Sequence, residues 1–376
     1  MQGHPRKVLM VVNALQPGGA ETQLMHLAEG LAEAGHQITI CCMNKAFVPT
    51  ESVRAAGVQI VELGAAHKIE RLLAVPKLAR LARRFEVVHC TIWDASLWGR
   101  IAAILARRPV VVADHSTDRS IHTSSKGASR ESWVALHNRL LDPFTYATVA
   151  CAASQRPVLL SEGVDPNKIV YIPNGLPIAA MRSTAASAPG RDAVGLPDGV
   201  PLVIQVGVFR EEKNQVGALE AVAGIRAAGL DAHLVFIGDG PTKEAVERRA
   251  GELDAGEWAH FLGRRSDVPA LLPLADVLVQ PSLADAMPLT VMEAMAIGVP
   301  VVATKVGDVP SMLEGRAGLV VPPGDQAALE AALTELLGDP ARRAELGAAG
   351  EEIASGQDSA TMIRSYEDLF DSAVAA

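Results

Sequence analysis

The chain has 376 residues, about half of them apolar and only 4% aromatic, with a formal net charge of −9. That length suits two domains better than one core, and a mixture rich in Ala, Gly, Val and Leu favours parallel strands under helices over an all-β fold. No apolar run reaches the roughly 18 residues that cross a bilayer, and the net acidity argues against a nucleic-acid partner.

From the N-terminus, the basic start MQGHPRK leads into an apolar run that ends at Asn13 and then a Gly-rich turn. This reads as a first strand and not as a signal peptide, so a cytoplasmic protein is expected. Val8–Asn13, Gln37–Cys42, Val58–Glu62, Val87–Cys90, Val110–Ala113 and Ala147–Ala150 read as strands, with helical periodicity between them, as at Glu21–Ala34 and Ala95–Arg107. Pro76 interrupts Lys68–Arg84, so the helix there is expected at Pro76–Arg84, with Lys77, Arg80 and Arg84 on one face. Residues 176–200, rich in Gly, Pro, Ser and Ala and without periodicity, read as a linker. Beyond it, Pro201–Val208, His233–Ile237, Ala259–Leu262, Val277–Gln280 and Pro300–Ala303 alternate with helices in the same way, and helices close the chain at 326–337, 340–353 and 358–372.

Repeated β-α units mean parallel sheets with helices on both faces. The expected fold is α/β, with two doubly wound, Rossmann-like domains at 1–175 and 201–355 and ligands at the carboxyl ends of the strands. The helix at 356–376 is free to cross back to the first domain. Charge divides with the halves: residues 1–190 carry 20 Lys and Arg against 14 Asp and Glu, and residues 191–376 carry 14 against 29. Opposite signs suggest different partners for each half. The basic helix around Pro76–Arg84 reads either as a solvated outer face or as a weak peripheral contact with anionic lipid. Cys41, Cys42, Cys90 and Cys151 lack metal-ligand spacing and read as buried small hydrophobes.

Two stretches carry candidate chemistry. The first turn, Asn13 to Glu21, places Gly18 and Gly19 between a strand and a helix; it reads equally as a tight turn or as a place where backbone N–H groups meet an anion. The second runs from Val277 to Asp325. Pro288 suits the first turn of a helix, which puts Asp285 in the loop ahead of it and Glu293 about five residues inside. The N–H groups of Leu289 and Thr290 would then be open to a phosphate, and Glu293 could accept from two neighbouring hydroxyls, as on a ribose. Taken alone, one acid near a helix start is also what simple capping looks like.

Here the sequence resembles the retaining glycosyltransferases of family 4, which have the GT-B fold. Asp285, seven residues, Glu293 and then Ala294-Met295-Ala296-Ile297-Gly298-Val299-Pro300-Val301 follow that family's acid pair and its continuation. Gly18-Gly19-Ala20-Glu21, Ile172-Pro173-Asn174-Gly175, Gly207 to Asn214, Ile237-Gly238-Asp239-Gly240-Pro241 and Gly318 to Asp325 match further segments in the same order. The resemblance implies transfer of a sugar from a nucleotide diphosphate donor, such as a UDP- or GDP-sugar, to an acceptor that could be a glycan, a lipid-linked molecule or a small molecule. It implies that Lys213 pairs with the donor diphosphate and Glu293 holds the ribose. It further implies that Gly238 and Gly240 border the nucleotide and that Arg264, Arg265 and Ser266 flank the base. Asp285 would lie near the transferred sugar, with His115 across the cleft.

The residue types suit that chemistry. A lysine and a helix N-terminus stabilise charge that grows on the leaving diphosphate. With no paired-acid metal motif in the sequence, no cofactor or metal is expected; Asp114 and Asp118 beside His115 are the carboxylates to test if one is needed. Two positions depart from the family pattern: Val208 follows Gly207 where the family has Arg, leaving Arg210 as the nearby base, and Asp285 stands for the usual Glu. These keep open a non-catalytic nucleotide-sugar-binding subunit and a nucleotide-sugar epimerase of the same fold. A Rossmann dehydrogenase is a weaker alternative, because its glycine fingerprint is missing.

Overall fold

A computed structural model describes residues 4–91, 93–115 and 127–376, with backbone alone at 93, 94 and 127–132. The chain divides into two compact units, Met1–Gly175 together with Ser359–Ala376, and Leu176–Asp358.

In unit 1 the strands are β1 (Lys7–Val12), β2 (Gln37–Cys42), β3 (Gln59–Glu62), β4 (Val87–Thr91), β5 (Val110–Asp114), β6 (Ala147–Ala150) and β7 (Ile169–Tyr171). They form a parallel sheet in the order β3-β2-β1-β4-β5-β6-β7. Helices α1 (Gly19–Glu33), α2 (Glu51–Ala55), α3 (Lys68–Ala82), α4 (Trp93–Ala106), α5 (Gly127–Leu141) and α6 (Gln155–Ser161) connect them. A strand buried on both sides needs apolar residues throughout. Accordingly Val8, Met10 and Val12 of β1 meet Leu24, Leu27 and Leu31 of α1, while Leu9 and Val11 meet Leu78 and Ala82 of α3 and Ala102 and Ala106 of α4. Each fully buried Leu or Val contributes about 1.5–3 kcal/mol. Cys42 lies in the first of these cores and Cys41 in the second, as the strand alternation requires. Burial pushes their thiols up to about 11 and about 12, so both stay protonated.

Unit 2 begins with α7 (Ile178–Ala185) and continues through β8 (Leu202–Val206), α8 (Gln215–Ala227), β9 (His233–Ile237), α9 (Lys243–Glu252), β10 (Ala259–Phe261), α10 (Val268–Leu271) and β11 (Val277–Gln280). It is completed by α11 (Leu289–Ile297), β12 (Val301–Thr304), α12 (Val309–Leu313), β13 (Gly318–Val321), α13 (Gln326–Gly338) and α14 (Pro340–Ala354). Its parallel sheet has the order β10-β9-β8-β11-β12-β13. The last helix, α15 (Ser359–Ala375), belongs to unit 1, where Met362, Tyr366, Phe370 and Ala373 form one apolar stripe in the core that α1 shares.

Three expectations need correction. Residues 176–200, read as linker, are packed in unit 2: Arg182 of α7 donates to Ala296 O at 2.8 Å and Glu351 O at 3.0 Å, carbonyls near the ends of α11 and α14. Arg191 donates to Leu274 O at 3.0 Å and pairs with Asp276 at 3.3 Å. Arginines that satisfy helix-end and loop carbonyls hold a segment with no amphipathic pattern of its own. Pro76 lies inside α3 and does not start it; Pro76 is exposed, and the helix begins at Lys68 because Glu70 accepts from the N–H groups of Ala66 and His67 at 2.8 and 2.9 Å. Pro288 precedes α11 at its N-cap and is not in its first turn. The strands β7, of three residues, and β13, of four, were not among the expected strands.

Candidate functional site

The strand order of unit 2 reverses between β8 and β11, and ligands of open α/β sheets bind outside the carboxyl ends of the strands at such a switch point. The loops leaving these two strands carry Lys213 and Asp285, and the Lys213 ammonium donates to the Asp285 carboxylate. The geometry is held from several sides. Gln205 Nε2 donates to Lys213 O at 2.8 Å, and Leu283 N donates to Glu212 O at 2.8 Å. Asn214, with φ +49°, caps α8 by accepting from Gly217 N at 3.2 Å while its amide donates to Pro281 O at 3.2 Å. The residue after Lys213 therefore ends one loop and ties it to the other.

Glycine is required where these loops lie on one another. Gly238 has φ +141°, and a Cβ there would penetrate Gly207 O; a Cβ on Gly240 would penetrate Phe209 O. Phe209 N donates to Asp239 O at 3.1 Å across the same contact. Gly307 follows β12 with φ +49°, and its Cβ would penetrate the carbonyls of Asp285 and Ala286, while Asp308 N donates to Ala286 O at 2.8 Å. Gly307 and Asp308 thus support the Asp285 loop from beneath, a role no short-range pattern announced.

Helix α11 starts without a side-chain cap, so its first N–H groups, from Leu289 and Thr290, keep the anion-binding capacity of a helix N-terminus. The Thr290 hydroxyl is committed to Gln280 Oε1 at 3.3 Å, and Gln280 in turn donates to Ser282 Oγ at 2.9 Å. Glu293 lies one turn further on, half-buried, without a hydrogen bond or ion pair among the described residues. Burial pushes its carboxyl up to about 7. A carboxylate held without donors is under-satisfied and suited to accept from hydroxyls that arrive with a ligand.

Other expected residues are less engaged. Arg210 is 50% exposed and pairs at 3.8 Å with Glu212. Arg264, Arg265 and Ser266 are exposed on the loop after β10, and Arg265 forks onto Asp267 at 2.8 and 2.7 Å, which raises its pKa and lowers that of the acid. Asp118 lies outside the described residues.

In unit 1, Gly18 is the N-cap of α1 with an extended backbone, and the Glu21 carboxylate of the first turn lies against it, where a Cβ would collide with Glu21 Oε2. Gln23 clamps the main chain of Gly175 with two bonds of 3.0 Å, fixing the Ile172–Gly175 segment against α1. His115 follows β5 and is half-buried. It lines a small cavity with Gln23, Thr91, Asn174, Tyr366 and His89. Sequence reasoning missed His89, the polar interruption of the VVHCT strand β4. It is 1% exposed, its Nε2 has no hydrogen-bond partner among the described residues, and its ring packs edge-on with Tyr366 at 5.4 Å and Phe370 at 6.0 Å. Burial holds His89 down to about 3 and His115 to about 4, so both are neutral at pH 7. A neutral imidazole offers one donor and one acceptor, which fits a hydroxyl better than an anion.

Two family models match this chain in succession: Glycosyltransferase Family 4 over residues 17–179 and Glycosyl transferases group 1 over residues 189–353. The chain is 27% identical over 369 residues to a phosphatidyl-myo-inositol mannosyltransferase of Mycobacterium leprae, covering 94% of each protein. It is 26% identical to a GDP-mannose-dependent alpha-(1-6)-phosphatidylinositol monomannoside mannosyltransferase of Mycolicibacterium smegmatis, covering 92% of this chain and 93% of that one. Among solved structures, Anabaena HepE in complex with UDP and glucose superposes with a TM-score of 0.84 at 20% identity, covering 98% of this chain and 100% of that one. With two Rossmann-like parallel-sheet units, the matched pair of family models and relatives that align end to end, the chain belongs to the GT-B glycosyltransferases of the family 4 type.

Proposed function

We propose that the protein moves a hexose from a UDP- or GDP-sugar to an acceptor hydroxyl, with retention of anomeric configuration and no metal requirement. The observation that carries this reading is the Lys213–Asp285 pair at the switch point of unit 2, just ahead in sequence of the uncapped start of α11. Without donor, Asp285 neutralises the Lys213 ammonium; a bound diphosphate competes for it. The bond from the anomeric carbon to the diphosphate oxygen breaks, and the acceptor oxygen bonds to the same face of that carbon. The acceptor proton passes to the leaving diphosphate. Lys213 and the N–H groups of Leu289 and Thr290 stabilise charge that appears only as that bond breaks. Arg210, half-exposed and paired with Glu212, is left outside the phosphate clamp.

Glu293 holds the ribose hydroxyls, Gly238 and Gly240 let the backbone approach the nucleotide, and Arg264, Arg265 and Ser266 border the base. His115 is assigned a hydroxyl of the transferred sugar, consistent with its neutral ring. Asp285, already engaged by Lys213, orients and balances charge; a free carboxylate nucleophile is a different arrangement. The acceptor is left to unit 1, where a lipid-linked molecule is one candidate. The names of similar proteins point to both guanosine and uridine donors, so both are offered in the test. The purified chain is given each sugar nucleotide with an acceptor panel, while nucleoside diphosphate release and the anomeric signal of the product are followed by NMR. Release with a retained anomer supports the reading. An inverted product refutes the mechanism, and binding without release favours a non-catalytic subunit.

A further inference from the structure

A surface helix of a globular protein normally keeps its charged side chains on the face away from the core. Helix α4 does not. Between Ala95 and Ala106 its only polar residues are Ser96 and Arg100, and both are buried. Its outward positions are therefore apolar: Trp98, Ile101 and Ile104 are half-exposed, and Leu105 is exposed. The helices on either side extend this face. On α3, Ile69 and Leu73 are each 73% exposed; on α5, Trp133 and Leu140 are 58% and 60% exposed. Leu72 of α3 and Leu136 of α5 are exposed as well. Helix α3 packs beside α4, and α4 beside α5, so these exposed apolar side chains gather on one layer of three neighbouring helices; such clustering marks a surface that something covers.

The charges around it narrow the choice. Lys68, Lys77, Arg80 and Arg139 are exposed on the same helices, while the carboxylate of Glu70 is turned back onto the N–H groups of Ala66 and His67. Long basic side chains can lay their methylenes along the apolar surface and hold their charges at its rim. Two copies meeting through this face would bring their cationic rims together, which opposes self-association. The acidic surplus lies in the other half of the chain, so an anionic surface attracts this face and repels the rest.

We propose that the outer face of the α3–α4–α5 layer docks on an anionic lipid bilayer. Leucine, isoleucine and tryptophan side chains enter the headgroup boundary, and the lysines and arginines pair with lipid phosphates. The proposal stands apart from the transferase reading, because docking is scored without donor. Where both hold, the acceptor is one that is presented at a membrane.

The test is flotation of the full chain with vesicles of phosphatidylcholine alone or with about 30% phosphatidylglycerol, a composition that supplies the surface charge basic residues respond to. Binding is expected on the anionic vesicles only, falling several-fold when salt is raised from about 0.1 to about 0.5 M. The Leu72→Ser, Leu73→Ser, Leu140→Ser triple variant and, separately, the Lys77→Glu, Arg80→Glu variant should each lose about tenfold in partitioning. All five side chains are exposed, so unchanged thermal unfolding serves as the folding control. Trp133→Phe should remove much of the fluorescence blue shift on vesicle addition. Equal binding to neutral vesicles, unchanged binding of both variants, or a concentration-dependent dimer that the leucine variant abolishes would overturn the proposal. The last result would make the face a contact between copies.

Discussion

Replacing Glu293 with Gln should make the unliganded protein more stable at pH 8 and a poorer nucleotide binder at once. The carboxyl has no partner among the described residues, and burial alone raises it from 4.5 to about 7. The folded state therefore holds this proton to higher pH than the unfolded chain does. Stability is lost as pH rises from about 4.5 to about 7 and is level above that. The interval corresponds to at most about 3 kcal/mol, and solvent at the open side of this half-buried residue reduces that to about 1–2 kcal/mol. Glutamine keeps the shape and removes the charge. Urea or thermal unfolding at pH 8 should show Glu293→Gln higher by that amount, or by about 2–8 °C for a unit of this size, with the two proteins converging near pH 4.5. Hydroxyls of a bound ribose favour the ionised form, so in the native protein nucleotide affinity should weaken about tenfold per pH unit below 7. In Glu293→Gln the affinity should fall at least about tenfold and lose that pH dependence. A variant that is destabilised equally at pH 5 and pH 8, or that binds nucleotide normally, would show that the carboxyl is already satisfied and that Glu293 is structural.

Lys213→Ala should lower turnover at least about a hundredfold with the fold intact, as removal of one charge-assisted contact to a leaving group does; near-normal turnover would displace the phosphate site. Arg210→Ala should change nucleotide diphosphate and nucleoside affinity alike, by less than about threefold, because its side chain faces solvent and Glu212; a selective loss of diphosphate binding would return Arg210 to the clamp. Gly307→Ala should cost at least about 1–3 kcal/mol from the positive φ alone, with a larger proportional loss of kcat as the Asp285 loop is pushed out of place; calorimetry and steady-state kinetics on one preparation read both. Turnover should survive EDTA once metal bound to the donor is accounted for, and full loss restored by Mg²⁺ at fixed donor would point to carboxylates such as Asp114.

Much of this protein was legible before any coordinates. Apolar runs as short as KVLMVV and QITICC, rich in β-branched residues, read as strands buried on both faces, and their alternation with helical patterns makes the sheets parallel. The spacing of Asp285, Pro288 and Glu293 placed a loop acid before a helix and a second acid within it, because that geometry is local to about ten residues. The individual long-range contacts were not legible from composition or periodicity. Composition alone suggested a linker at 176–200, since nothing in it forecasts Arg182 reaching carbonyls of Ala296 and Glu351 more than a hundred residues on. Pro76 looked like a helix start because its cost depends on which side of the helix faces solvent. The Lys213–Asp285 pair, the support from Gly307, and the burial of His89 against Tyr366 and Phe370 arise where separate strands end side by side or where α15 returns to unit 1. Periodicity reports which face of an element is buried; only the sheet order reports what it is buried against.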